Sequence, residues 1–148
     1  MELKDAERMA RTLMTEYGVG RLEFAFDGGK RRLGAMHSMR VGRQVIPKKI
    51  TLSRHYTALL PEDEIRDVIL HEIAHALTPG HNHNAVFMAA CRKVGARPAR
   101  CAVPSASPEH SIEGWCPKCD VLVSKHHRMP RAKYVHRTCR TLLTYVRL

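Results

Sequence analysis

Apolar positions Leu3, Ala6, Met9, Ala10, Leu13, Met14 and Tyr17 recur at three- to four-residue intervals at the start of the chain, and Gly18 closes the run. That period predicts an amphipathic helix over residues 2 to 17 whose apolar stripe faces a core. The rhythm then shortens to two. Leu22, Phe24 and Phe26 alternate with other residues, Asp27-Gly28-Gly29 supplies a turn, and apolar positions resume near Leu33, which predicts a hairpin. The stretch KKITLS, ending at Ser53, predicts a third strand. Pro61 with Glu62, Asp63 and Glu64 then opens a helix, since proline at a helix start gives up no needed donor and acidic residues suit the positive end of the dipole. This helix carries Ile65, Val68, Ile69, His71, Glu72, Ile73, His75 and Ala76, and Thr78-Pro79-Gly80 ends it. A further helix over residues 84 to 94 puts Val86, Phe87, Ala90, Cys91 and Val94 on one side. Residues 98 to 114, rich in proline and serine, predict a linker.

The pattern is that of an α+β domain over residues 1 to 97, a linker over 98 to 114 and a small tail over 115 to 148. With 148 residues, 44% of them apolar, the chain can bury a real core. No run approaches the roughly 18 apolar residues of a membrane helix, and MELKDAERMARTLM has no apolar signal core. The expected location is therefore the cytoplasm, associated with the nucleoid, or a host cell's interior if the source is viral. There the five cysteines should stay reduced, and an odd number cannot all pair internally. The formal charge of +11 is uneven: residues 88 to 148 hold twelve Lys and Arg against three Asp and Glu, and residues 1 to 87 hold thirteen against eleven. A basic tail of this kind attracts polyanions, because each neutralised phosphate releases counterions.

LHEIAHALTPGHNHNAVF, from Leu70 to Phe87, concentrates the candidate chemistry. His71 and His75 lie one helical turn apart on one side, so both imidazoles can reach a single ion, and Glu72 falls on the same side. That is the arrangement of a catalytic zinc: two nitrogen ligands, room for water, and a carboxylate to take its proton. The third ligand has two candidates. His81 has the metzincin spacing from His75, but the glycine which that pattern requires would fall at Thr78. His83 heads HNAVF, with an aromatic four residues on. On these motifs, with the N-terminal helix, the basic turn, the ITLS strand and the cysteine-bearing tail, the chain resembles the SprT-like metallopeptidases, and the resemblance covers most of its length. The family's pattern of His-Glu-x-x-His followed by His-Gly-x-x-aromatic favours His83, although Asn84 stands where the family usually has glycine. The resemblance implies a minimal zincin-like fold, with an N-terminal helix, a small antiparallel sheet, the metal helix and a following helix.

A second constellation closes the chain. WCPKC at 115 to 119 and HRTC at 136 to 139 are two ligand pairs with the spacing of zinc knuckles, proposing Cys116, Cys119, His136 and Cys139 as a closed structural site. His126 or His127 could stand in for His136. VLVSKHH and AKYVH have the β-rich look of an intervening hairpin. SprT-like proteins often carry such a ribbon, generally with four cysteines. Cys91 suits the apolar side of its helix, Cys101 is either a spare ligand or a linker residue, and His37, His55 and His110 have no evident partner.

Together these readings predict a zinc metalloendopeptidase with one catalytic and one structural Zn2+. A zinc-held water between His71, His75 and His83 would lose its proton to Glu72 as it attacks a peptide carbonyl. Arg128, Arg131, Lys133, Arg137 and Arg140 surround the ribbon, with Trp115 and Tyr134 available to stack on unpaired bases. The resemblance implies protein substrates attached to DNA, crosslinked ones included, so the expected partners are such proteins and DNA, single strands among its forms. The alternative is a zinc-containing nucleic-acid-binding protein without catalysis, against which Glu72 speaks.

Overall fold

The computed structural model describes residues 1 to 98 and 104 to 148, so Cys101 lies outside the described residues. The chain divides into two units, Met1–Ser107 and Pro108–Leu148. Among the described residues, no helix is long and apolar enough to cross a membrane.

The first unit is α+β. Helix α1 (Leu3–Glu16) buries Ala6, Ala10, Leu13 and Met14, while its outer face carries a Glu7–Arg11 ion pair one turn apart at 2.9 Å. Strands β1 (Glu23–Asp27), β2 (Gly34–Val41) and β3 (Gln44–Ser53) form a sheet in the order β1-β3-β2. The expected hairpin between β1 and β2 does not form. β1 runs parallel to β3, Phe24 opposite Ile50, and β2 pairs antiparallel with β3, so the sheet is mixed. The tight reversal falls instead at Gly42 and Arg43, between the paired Val41 and Gln44, where Gly42 has φ +60° as a two-residue hairpin turn requires. Asp27-Gly28-Gly29 does bend the chain, since Asp27 accepts a bond from the Gly29 amide at 2.9 Å. The loop it begins crosses over to the far edge of β3, where Ser53 donates to the Gly29 carbonyl and its amide to that of Leu33.

Ser53 also caps α2 (Arg54–Leu59), accepting from the Tyr56 amide at 3.3 Å. Six residues are too few to show a helical period, which is why the sequence pattern does not reveal this helix. α3 (Glu62–Leu77) follows Pro61 with its three acidic residues in the first turn. It contacts α1, α4, β2 and β3, and buries Ile65, Val68, Ile69, Leu70, Ile73 and Ala76. α4 (Ala85–Val94) buries Phe87, Ala90, Cys91 and Val94, whereas Val86 points outward at 48% exposure, against expectation. Gly34 brings β2 close to α3: a Cβ there would lie 3.1 Å from Val68 Cγ1 and 2.9 Å from the Thr51 carbonyl oxygen.

The second unit is a three-stranded antiparallel sheet of β4 (Ile112–Cys116), β5 (Val121–His126) and β6 (Thr144–Arg147), in the order β5-β4-β6. β4 begins inside the stretch expected as linker, and Ile112 is 1% exposed. The expected pairing of VLVSKHH with AKYVH does not form. β5 pairs with β4 on its N-terminal side, and Val135 makes an isolated bridge to Leu142. Each ligand pair is thus framed by its own local pairing, which suits a knuckle better than one long hairpin.

Candidate metal centres

α3 places His71 and His75 one turn apart, their ring centroids 4.9 Å from each other. The chain beyond α3 must then reverse to bring a third imidazole back. Thr78 turns its hydroxyl onto the Ala74 carbonyl at 2.8 Å, Gly80 takes φ +80°, and His83 takes φ +51°, an uncommon conformation for a non-glycine residue. His83 arrives with its ring 4.8 Å from His75 and 5.7 Å from His71. Next, Asn84 caps α4 by accepting from the Phe87 amide at 3.1 Å, which seats the fully buried Phe87 beneath the group. Its ring stacks on His75 at 4.2 Å and meets His71 and His83 edge to face at 5.0 and 5.1 Å.

One ring nitrogen from each of His71, His75 and His83 lies within 4.8 Å of the others. A tetrahedral zinc ion spaces its nitrogen ligands about 3.3 Å apart, inside that envelope. Burial lowers the pKa of His71, with the charge of His83 a second cause, and lowers that of His75 to about 4. Both rings are therefore neutral near pH 7 and offer the lone pairs that a metal needs. Glu72 stands outside the cluster but lines the same cavity of about 460 Å³. It is 7% exposed, and burial raises its pKa to about 7, opposed by the charge of Arg32 and a backbone hydrogen bond with Met36 of β2. His81 is not in the cluster. It is exposed and accepts a hydrogen bond from Asn84 Nδ2 at 3.0 Å, so it steadies the residue that caps α4. Arg32 and Met36 were not foreseen, because nothing in a one-chain pattern ties a loop cation or a strand amide to a carboxylate on a distant helix.

The family comparison agrees with this geometry. A model of the SprT-like family matches residues 7 to 107, which hold the whole triad and Glu72. The chain belongs to the SprT-like family. Comparison with the curated proteins and with the solved structures finds no match. SprT-like membership supports a metallopeptidase-like role for the first unit. The second unit lies beyond the matched residues.

In that second unit, Cys116, Cys119, His136 and Cys139 bring one ligand atom each within 4.8 Å of the others. The two pairs have matching turns. Asp120, φ +53°, donates its amide to the Cys116 carbonyl at 2.8 Å, and Arg140, φ +57°, donates to His136 at 2.7 Å. The sulfurs of Cys116 and Cys139 are 3.4 Å apart, and Cys139 is 3.5 Å from His136 Nδ1. Hydrogen bonds from Thr141 pull the Cys139 thiol down to about 6, while Cys119, bonded first to Cys139, is pushed up to about 11. Three thiols this close cannot all ionise unless a cation is shared among them, so the donor set suits zinc and a zinc-ribbon tail. His126 lies apart, bonded to Ser124 at 2.9 Å, and His127 bonds the Glu109 carbonyl.

The five proposed nucleic-acid residues, Arg128, Arg131, Lys133, Arg137 and Arg140, are all exposed. Tyr134 is 53% exposed, whereas Trp115 is half-buried and donates its indole N–H to Glu113 at 2.9 Å. Two histidines set aside earlier have partners: His37 bonds the Thr51 hydroxyl at 2.9 Å, and His110 meets Glu113 at 3.2 Å.

Proposed function

We propose that the protein is a zinc metalloendopeptidase acting on proteins bound or crosslinked to DNA, with the second unit as a zinc-stapled, basic tether. One observation carries the peptidase half: three imidazoles converge beside a buried carboxylate that faces the same cavity. His71, His75 and His83 would hold the catalytic ion, and Cys116, Cys119, His136 and Cys139 the structural one. When bound, the first ion supplies Lewis acidity, making a coordinated water more acidic and a carbonyl more electrophilic.

Glu72 does the proton work. Its carboxylate accepts the proton of the attacking water, holds it in a site nearly closed to solvent, and returns it to the leaving amine. Burial alone would keep this carboxyl protonated near neutral pH; the charge of Arg32 and the Met36 backbone oppose that, and a cation at the triad draws the pKa down further. Phe87 holds the imidazoles from below, so the ligands need little rearrangement on binding.

The tethering half rests on charge: the second unit, residues 108 to 148, holds eight Lys and Arg against three Asp and Glu. The test compares cleavage of a protein crosslinked to DNA with cleavage of the same protein free, in wild type and Glu72→Gln, with zinc counted per chain. We expect two zinc ions per chain, falling to about one in His83→Ala, and cleavage lost in Glu72→Gln with zinc retained. Equal cleavage of free and crosslinked protein would remove the tether, and a fully active Glu72→Gln variant would remove the peptidase mechanism. The second reading, a nucleic-acid-binding protein without catalysis, requires wild type and Glu72→Gln to be equally inert while DNA binding persists.

A further inference from the structure

Between Gly28 and Pro61 the chain carries eight Lys or Arg residues and no Asp or Glu. The near-balance of residues 1 to 87, thirteen basic against eleven acidic, conceals this, because residues 1 to 27 and 62 to 87 together hold eleven acidic residues and five basic ones. The fold turns the segment into a surface. Past the bulge between His37 and Ser38, β2 and β3 continue as a two-stranded arm, and residues 38 to 44 are exposed without exception. Four paired rows, from Ser38 opposite Pro47 to Val41 opposite Gln44, extend it by about 13 Å.

The cations are spread around this arm. Arg40 faces Val45 across the pair, Arg43 occupies the turn, and Lys48 sits at the bulge, between Pro47 opposite Ser38 and Lys49 opposite His37. By the alternation of β2, Lys49 lies on the face away from Arg40. Arg31 and Arg32 carry the charge from the foot of the arm to the mouth of the cavity, which they line. Among the described residues, none of the eight cations forms a salt bridge, although the charge of Arg32 acts on Glu72. An anionic membrane would take up the exposed Met39 and Val41, and because these alternate with Arg40 along β2, seating them would turn Arg40 away from the lipid headgroups. A duplex groove offers phosphate walls on two sides and is about 12 Å wide, room enough for a two-stranded ribbon. The arm passes close to the loop that leads to His83: a Cβ at Gly80 in that loop would lie 3.8 Å from Val45 Cγ2.

We propose that the β2–β3 arm is a duplex-DNA contact belonging to the metallopeptidase unit itself, gripping phosphates through Arg40, Arg43 and Lys48. It deepens the DNA-tethering reading, on which it rests, by assigning a second contact beside the cleft. DNA held there is held where cleavage occurs, so a protein crosslinked to that DNA is presented to the cavity.

The test uses the full zinc-loaded chain and a short duplex oligonucleotide, with affinity measured across a salt series. Three variants are compared: Arg40→Gln/Arg43→Gln/Lys48→Gln, its charge-keeping counterpart Arg40→Lys/Arg43→Lys, and a ribbon variant with Arg128, Arg131, Lys133, Arg137 and Arg140 all changed to Gln. Three lost phosphate contacts should flatten the slope of log K against log salt by about 2.7. The charge-keeping variant should match wild type, and helical circular dichroism and zinc content should not change in either arm variant. An arm variant with the wild-type slope overturns the proposal, and if the ribbon variant then loses binding the tethering reading still stands. If neither variant alters binding, both readings fall. A loss seen only with single-stranded DNA, or only with phosphatidylserine vesicles, likewise overturns the duplex contact.

Discussion

Replacing Glu72 by Gln in the metal-free protein isolates the cost of holding a buried carboxylate beside the metal-binding imidazoles. Burial raises the Glu72 pKa from the ordinary 4.5 to about 7. The folded protein thus keeps a proton that the unfolded chain releases between those values, and stability falls as pH rises through the window. The penalty is absent below about pH 4.5, grows up to about pH 7 and is complete above it. Its full size corresponds to about 3 kcal/mol. Gln has the same shape and no charge, so the advantage of the variant over wild type should widen from pH 5 to pH 8. With an m-value of about 2 kcal/mol/M, the urea midpoints should separate by about 1.5 M at the upper end. Circular dichroism at 222 nm is the proper readout, because the four helices among the described residues lie in the first unit. Zinc should shrink the difference, since a cation at the triad stabilises the ionised carboxylate. A midpoint difference that stays constant between pH 5 and pH 8 would refute the argument, because it would mean that Glu72 ionises as easily folded as unfolded.

Phe87→Leu removes the ring on which three imidazoles rest, so zinc affinity at the triad should drop about tenfold or more in a chelator competition, with a stability loss of about 1–2 kcal/mol. Unchanged affinity would make Phe87 a core residue only. Gly34→Ala forces a Cβ against the Thr51 carbonyl and Val68, so β2 must move away from α3; the expected cost is about 1–3 kcal/mol in thermal unfolding. Chelation should unfold the second unit first, because Ile112 and Cys116 are its buried apolar side chains and metal must supply much of its folding energy. Trp115 fluorescence should report that loss while the 222 nm signal persists.

What was legible in the sequence was local. The spacing of His71, Glu72 and His75 needs only one helical turn to become geometry, and the Cys-x-x-Cys and His-x-x-Cys pairs need only one knuckle each. The choice between His83 and His81 could not be made from spacing, because the reversal depends on two positive φ angles, at Gly80 and His83, and on the Asn84 cap that seats Phe87. Strand order failed for a related reason. Asp27-Gly28-Gly29 reads as a turn, yet the hairpin closes at Gly42-Arg43, and that outcome depends on β1 pairing with β3, a contact across more than twenty residues.

Charge was the least legible property, although every charged residue was in plain view. A sum over residues 1 to 87 comes to near zero, whereas the fold sets Glu62, Asp63, Glu64 and Asp67 on the first turns of α3, with only Arg66 among them, and gathers basic residues on β2, β3 and the loop before them; α1 is balanced, with three of each sign. Such a dipolar unit orients in a field even when its net charge is small. A nucleic acid would therefore meet the sheet side first, which is the side where β2 passes Glu72 and where Arg31 and Arg32 line the cavity. If the arm variant keeps its affinity for duplex DNA, that orientation has no consequence for binding, and the segregated charge reflects only the needs of solubility.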